Sequence, residues 1–167
     1  MTDDKKYDKA IKAIKESSES SSVYVGCDSQ VFSRKDKKSG RVWKEAKYST
    51  SVWLHKDSKH GASIIFIEKR VIDDYGNIKQ RLMNEVFMVT EVALALIDHV
   101  GDRNFEVHVD INGDDKHASS VAVKEAIGYV TGQMGFAPKV KPYAFAASHS
   151  SDHIVKNKMR RSNLTKV

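Results

Sequence analysis

Asp28 lies in "VYVGCDSQVF" (residues 23–32), a run that otherwise reads as a buried β-strand. By period-two alternation Val23, Val25 and Cys27 share one face, and Tyr24, Gly26 and Asp28 share the other. A carboxylate at a sheet surface is costly unless something pairs with it. A second aspartate, Asp110, ends "FEVHVD", on the face away from Phe105, Val107 and Val109. If the two strands are parallel neighbours, the carboxylates stand side by side. Like charges that close repel unless a cation sits between them, and a divalent metal ion is the economical one.

The long helix over 77–101, "NIKQRLMNEVFMVTEVALALIDHVG", tests that idea. With Leu82 at zero and about 100° per residue, Val86, Val89, Ala93, Leu96 and Val100 fall within about 40° of it. Glu85 falls about 60° away, at the border of the stripe, and Glu91 about 180° away, facing solvent. Only Glu85 can look towards the sheet edge, as a metal ligand or as half of a flanking salt bridge. The fourth acid, Asp152, stands one turn into the last helix, where an acid also suits the helix dipole without any partner. His149, three residues earlier, could ferry protons near neutral pH or be an exposed loop histidine. His149 and His153 have the spacing of H-E-x-x-H, but Ser150 takes the place of the glutamate, which excludes a zinc protease. Cys27 alternates onto the apolar face as a small buried residue rather than a nucleophile. Trp43, Trp53 and Tyr48 read as packing residues before they read as base-stacking platforms. Gly26 admits either a nucleic-acid backbone or close packing.

Those side chains need a frame. Residues 5–17 form a short amphipathic helix, and "ESSESSS" (16–22) stops it. Strands are predicted over 23–32, 43–55 and 62–72, joined by a basic hairpin with Gly40 at its turn and by "KDSKHG" (56–61). The long helix follows, then a strand over 105–112, a helix over 116–135, a strand over 138–145 and a last helix over 148–161 with Ser148 as N-cap. The order is βββ-α-β-α-β-α. Strand–helix–strand steps within one sheet are right-handed crossovers, so the antiparallel meander continues into a parallel half. The expectation is an α/β protein with a mixed five-stranded sheet and helices on its faces. Residues 1–22 are assigned to an N-terminal helix and Ser-rich linker, 23–160 to the domain and 161–167 to a basic tail.

The chain has 167 residues and a net charge of +6. No apolar run approaches a membrane span, the N-terminus lacks the apolar core of a signal peptide, and one cysteine cannot form an internal disulfide. A reducing cytoplasm is the expected compartment. Residues 34–47 hold seven Lys/Arg against two acids, and residues 156–167 hold five with no acid. Arg34, Lys35, Lys37, Lys38 and Arg41 in the hairpin, with Lys156, Lys158, Arg160 and Arg161 in the tail, are candidate phosphate contacts; the alternative is a solvated turn and a frayed terminus.

Asp on the first strand, Glu on the helix after the third, Asp ending the fourth and Asp on the last helix resembles the RNase H-like superfamily. Within it, "YVGCDSQ", "VHVDIN", "GYVTGQMGF", "VKPYAFAAS" and "SDH" resemble the YkuK-like family of predicted RNase H-like nucleases, over about residues 20–158. The resemblance implies strand order 3-2-1-4-5. It also implies a metal-dependent nuclease acting on nucleic acid, RNA or RNA–DNA hybrid above DNA, with two Mg²⁺ or Mn²⁺ ions. Asp28 would bridge the ions, Glu85 and Asp110 would share one, and Asp152 would complete the other. Asp114 and Asp115, in the loop after Asp110, contend with it as ligand. The rival is a catalytically inactive nucleic-acid-binding module of the same fold. Sugar-kinase-like phosphoryl transfer, a third class, is disfavoured because it needs a duplicated domain and glycine-rich phosphate loops, neither of which this sequence carries.

Overall fold

The alternating β-branched and aromatic residues of 22–55 fold as one long hairpin in the computed structural model, which describes residues 3–59, 61–112, 120 and 122–148. Strands β1 (Ser22–Lys35) and β2 (Val42–His55) pair antiparallel from Ser22 opposite His55 to Lys35 opposite Val42. Asp36 closes the turn: its carboxylate accepts the N–H groups of Lys38 (2.6 Å) and Ser39 (3.0 Å). Gly40 takes a φ of 71°, where a side chain would be strained. Strand β3 (Ala62–Asp73) adds antiparallel to β2 with a bulge, since Thr50 faces Glu68 but Ser51 faces Phe66.

Asn77 starts helix α2 (Ile78–Leu96) by accepting the Gln80 N–H at 2.9 Å on its side chain. The helix stops through a 3₁₀ turn, Ile97–His99, and Gly101 at φ 57°. Strand β4 (Asn104–Asn112) then runs parallel to β1. Helix α3 (Val123–Met134), strand β5 (Lys139–Lys141) and helix α4 (Phe145–Ser148) complete the described chain. The five-stranded sheet has the order β3-β2-β1-β4-β5, with β4 and β5 parallel. This is the mixed α/β architecture expected.

Val23, Val25 and Cys27 of β1 and Val107, Val109 and Ile111 of β4 form one core with α2 and α3. Helix α1 (Asp8–Glu16) belongs to the same core through Ala10 and Ile14, with Tyr7 just ahead of it. Lys6 ties that end of the chain to Glu68 and Glu91, each at 3.3 Å. Burial in α2 covers more than one stripe because the helix meets the sheet and α3 together. Glu91 lies exposed as its angle predicts.

Helix α4 packs on the opposite face of the sheet, and here the sequence expectation needs correction. The strand expected over 138–145 is only Lys139–Lys141, and Phe145 already begins a helix. Ser148 is therefore not an N-cap: its N–H bonds the Ala144 carbonyl at 3.2 Å, inside the helical turn. The physical reason is Gly26. A Cβ there would lie 2.3 Å from the backbone of Ala146, so the turn lays its small residues directly on the β1 backbone. The remainder of the expected last helix, with His153, lies outside the described residues, as does most of the stretch expected to begin the helix at 116. Among the described residues no helix is long and apolar enough to cross a membrane.

Candidate active site

Parallel pairing of β1 with β4 ends with Cys27 beside Val109. Asp28 and Asp110 are each the next residue along, on the face carrying Gly26 and His108. The Asp28 carboxylate accepts the Ser29 N–H at 2.8 Å. Asp110 accepts the Ser148 hydroxyl at 3.0 Å and pairs with the Lys141 ammonium at 2.9 Å. Strand β5 and helix α4 thus meet β4 at this one carboxylate.

Glu85 reaches the same region from α2 and is only 3% exposed. Its Oε1 accepts the Ser29 hydroxyl, and the Arg81 guanidinium one turn earlier lies 3.6 Å away. Arg81 in turn donates to the Ser29 oxygen at 2.7 Å, so arginine, serine and glutamate form a chain. The other carboxylate oxygen, Oε2, is buried with no hydrogen-bond partner. Burial pushes the Glu85 carboxyl up to about 8; the Ser29 bond and Arg81 oppose this, and the charges of Asp28 and Asp110 add to it.

Glu85 on α2 therefore feels the charges of Asp28 on β1 and Asp110 on β4. All three are hard oxygen donors of the kind Mg²⁺ and Mn²⁺ take once Glu85 has given up its proton, and its Oε2 is buried with no hydrogen-bond partner. In donor chemistry the set suits a divalent ion. Among the described residues, however, no three His, Cys, Asp or Glu side chains gather closely enough to hold one. Arg81 and Lys141 supply the positive charge instead. Asp152 and His149 lie outside the described residues, as do Asp114 and Asp115.

Sequence reasoning missed four polar residues here. Arg81 was findable, because it stands four before Glu85 on one helix face. Ser29 and Ser148 carried no signal beyond adjacency to Asp28 and to the last helix. Lys141 could be found only from the register of β5. The structure also assigns the ambiguous residues. Gly26 serves close packing of α4. Cys27 is buried, and desolvation pushes its thiol well above the ordinary range, which rules it out as a nucleophile. Tyr48 and Trp53 are buried, Tyr48 accepting from Asn84 at 3.1 Å.

Beneath α4 lies a buried histidine that the sequence reading passed over. The Ala146 N–H donates to Nδ1 of His108 at 3.2 Å, so that nitrogen carries no proton. The proton sits on Nε2, which donates to Glu106 at 2.9 Å. Burial lowers the His108 pKa, and the ring is neutral.

The basic hairpin projects beyond the core. Lys35, Lys37 and Lys38 are exposed at its tip. Arg34 pairs with Glu45 at 2.9 Å, and Arg41 pairs with Asp74 at 2.8 Å while lying over the Trp43 ring. Two of the five candidate phosphate contacts are thus already engaged. Lys156, Lys158, Arg160 and Arg161 lie outside the described residues.

A family model described as Ribonuclease H-like matches residues 6–156, α1 included. Searches of curated proteins and of solved structures returned no match.

Proposed function

The chain belongs to the ribonuclease H-like family, and from that premise we propose that it hydrolyses phosphodiester bonds of nucleic acid with two divalent metal ions, RNA or an RNA–DNA hybrid being the favoured substrate. Asp28, Glu85 and Asp110 would hold the ions together with Asp152. Two Mg²⁺ or Mn²⁺ ions so bound would activate a water and stabilise the leaving oxygen of an in-line displacement. Ser29 orients Glu85 by donating to one of its oxygens and leaves the other free to bind. Arg81 beside Glu85 and Lys141 paired with Asp110 would be the counter-charges that such ions replace. His149, three residues before Asp152, would move protons at the site.

The observation that carries this reading is the Glu85 carboxyl group, buried with one oxygen unpartnered and subject to the charges of Asp28 and Asp110. Burying such a group without a compensating partner costs about 1–3 kcal/mol or more, so its retention points to use. The test is cleavage of labelled single-stranded RNA, double-stranded RNA, RNA–DNA hybrid and branched DNA with Mn²⁺ and with EDTA. Cleavage of one class that needs metal and vanishes in folded Asp28→Asn supports the proposal. A folded, fully active Asp28→Asn protein refutes it.

A second reading, an inactive nucleic-acid-binding module, has its own support. Lys141 already pairs with Asp110, and Arg81 stands beside Glu85. It predicts oligonucleotide binding with no metal-dependent cleavage of any substrate.

A further inference from the structure

On the sheet face that carries Asp28 and Asp110, two cavities flank Phe145. One, of about 430 Å³, lies towards β5 and is lined by Glu106, Lys139, Pro142, Tyr143 and Phe145. The other, of about 350 Å³, lies towards β3 and is lined by Tyr24, Trp53, His55, Ala62 and Phe145. Three rings stand steeply tilted to Phe145 and brace it: Tyr24 (centroids 4.9 Å, 69°), Trp53 (5.6 Å, 79°) and His108 (4.9 Å, 88°). It is nonetheless 37% exposed, and Tyr143 beside it is 74% exposed. A braced, half-exposed ring between two aromatic-lined cavities is a stacking platform for flat ligands.

Glu106 gives the first cavity its selectivity. One of its oxygens accepts from His108 at 2.9 Å and the other from Asn104 at 3.2 Å. Each oxygen keeps a further lone pair, and the side chain is 26% exposed. His108 can only donate to Glu106, because its other nitrogen takes the Ala146 N–H. Those bonds outweigh burial and hold the Glu106 carboxyl below its ordinary range, so it is an acceptor at neutral pH. Among nucleobases, guanine offers two adjacent donors, N1–H and the 2-amino group, to a two-oxygen acceptor. Lys139 at the rim supplies a positive charge for a phosphate. Glu106 and Asp110 share one face of β4 four residues apart, about 13 Å.

We propose that these cavities hold two unpaired bases of a single strand on either side of Phe145, with guanine in the Glu106 cavity. The inference rests on nucleic acid being the ligand of this chain. It places the bound bases beside the candidate active site rather than in it.

The test uses the full chain in EDTA and fluorescein-labelled RNA hexamers, UUGUUU and the same strand with inosine for guanosine, read by anisotropy. Inosine lacks only the 2-amino group. The wild type should bind the guanosine strand at least about tenfold more tightly, the value of a hydrogen bond to a charged group. Glu106→Gln should reduce that preference to about twofold or less, and Tyr143→Ala should weaken both strands alike. Equal binding of the two strands by the wild type overturns the proposal, whatever the variants do. So does a guanosine preference that survives in folded Glu106→Gln. Guanosine-selective binding by a protein that cleaves nothing in Mn²⁺ refutes the nuclease reading alone, and cleavage without that preference refutes this inference alone.

Discussion

Replacing Gly26 by alanine tests the seating of α4, which brings Ser148 to Asp110. The new Cβ would lie 2.3 Å from the carbonyl carbon and oxygen of Ala146 and 2.6 Å from the Ala147 nitrogen, against 3.4–4 Å for ordinary contact. These are backbone atoms, so no rotamer change relieves the clash and the helical turn must move off by roughly 1 Å. Overpacking of this kind costs about 1–3 kcal/mol, and in a chain of this size each kcal/mol lowers Tm by about 2–4 °C. Gly26→Ala should therefore lower Tm by about 2–12 °C in a thermal melt followed by circular dichroism. The same substitution supplies its own control at Gly128, a helical position where a Cβ meets nothing within 4 Å. Gly128→Ala should stabilise by about 0.5–1 kcal/mol, because alanine is the better helix former. Opposite signs for one chemical change leave composition out of account. If Gly26→Ala melts at or above the wild-type temperature, α4 is not seated on β1, and the placement of Ser148 beside Asp110 falls with it.

Four further predictions follow from the site. Glu85 has a folded-state pKa of about 8 against 4.5 unfolded, so the fold loses stability as pH rises from 4.5 to 8; the Glu85→Gln variant should gain on wild type by about 1.4 kcal/mol per pH unit, to an upper bound of roughly 4–5 kcal/mol at pH 9. A stability difference that stays flat across that range contradicts the raised pKa. Binding of Mn²⁺ at pH 7 should release close to one proton, measured by calorimetry in two buffers of different ionisation heat, and none in Glu85→Gln. Lys141→Gln should tighten Mn²⁺ binding at a cost of no more than about 1 kcal/mol of stability, since its pair with Asp110 is partly exposed; weaker binding would show that the lysine does not compete with the metal. Replacing Lys35, Lys37 and Lys38 together by alanine should flatten the salt dependence of oligonucleotide binding by about 2–3 in the log–log slope, and an unchanged slope would remove the hairpin tip from the interface.

The sheet was legible in the sequence because its signals are local. Alternation in 23–32 and 105–112 named the buried faces, the 100° arithmetic placed Glu85 inward and Glu91 outward, and Gly40 and Gly101 marked stops that both need positive φ. That Asp28 and Asp110 lie on neighbouring strands followed from the resemblance, which implied the strand order 3-2-1-4-5, while crossover handedness gave only the parallel half of the sheet. What stayed illegible depends on contacts between distant segments. "VKPYAF" reads as a strand from β-propensity, yet its end is helical because Ala146 must lie on Gly26, some 120 positions earlier. No local pattern announces that Lys141 will reach Asp110 or that Ser29 will hold Glu85, because both depend on register across the sheet. His108 was passed over for a related reason: alternation put it on the face away from the apolar residues of β4, and α4 packs over it there.

The packing of α1 has a consequence for how the chain is made. Lys6 finds a partner in Glu91, 85 residues later, and Ser17 finds one in Arg103, 86 residues later. Helix α1 can bury Tyr7, Ala10 and Ile14 only once the later strands β2 and β3 and the turn after α2, against which it packs, have been made. A shortened version starting at the first strand would escape that wait but would open a hole where those three side chains belong.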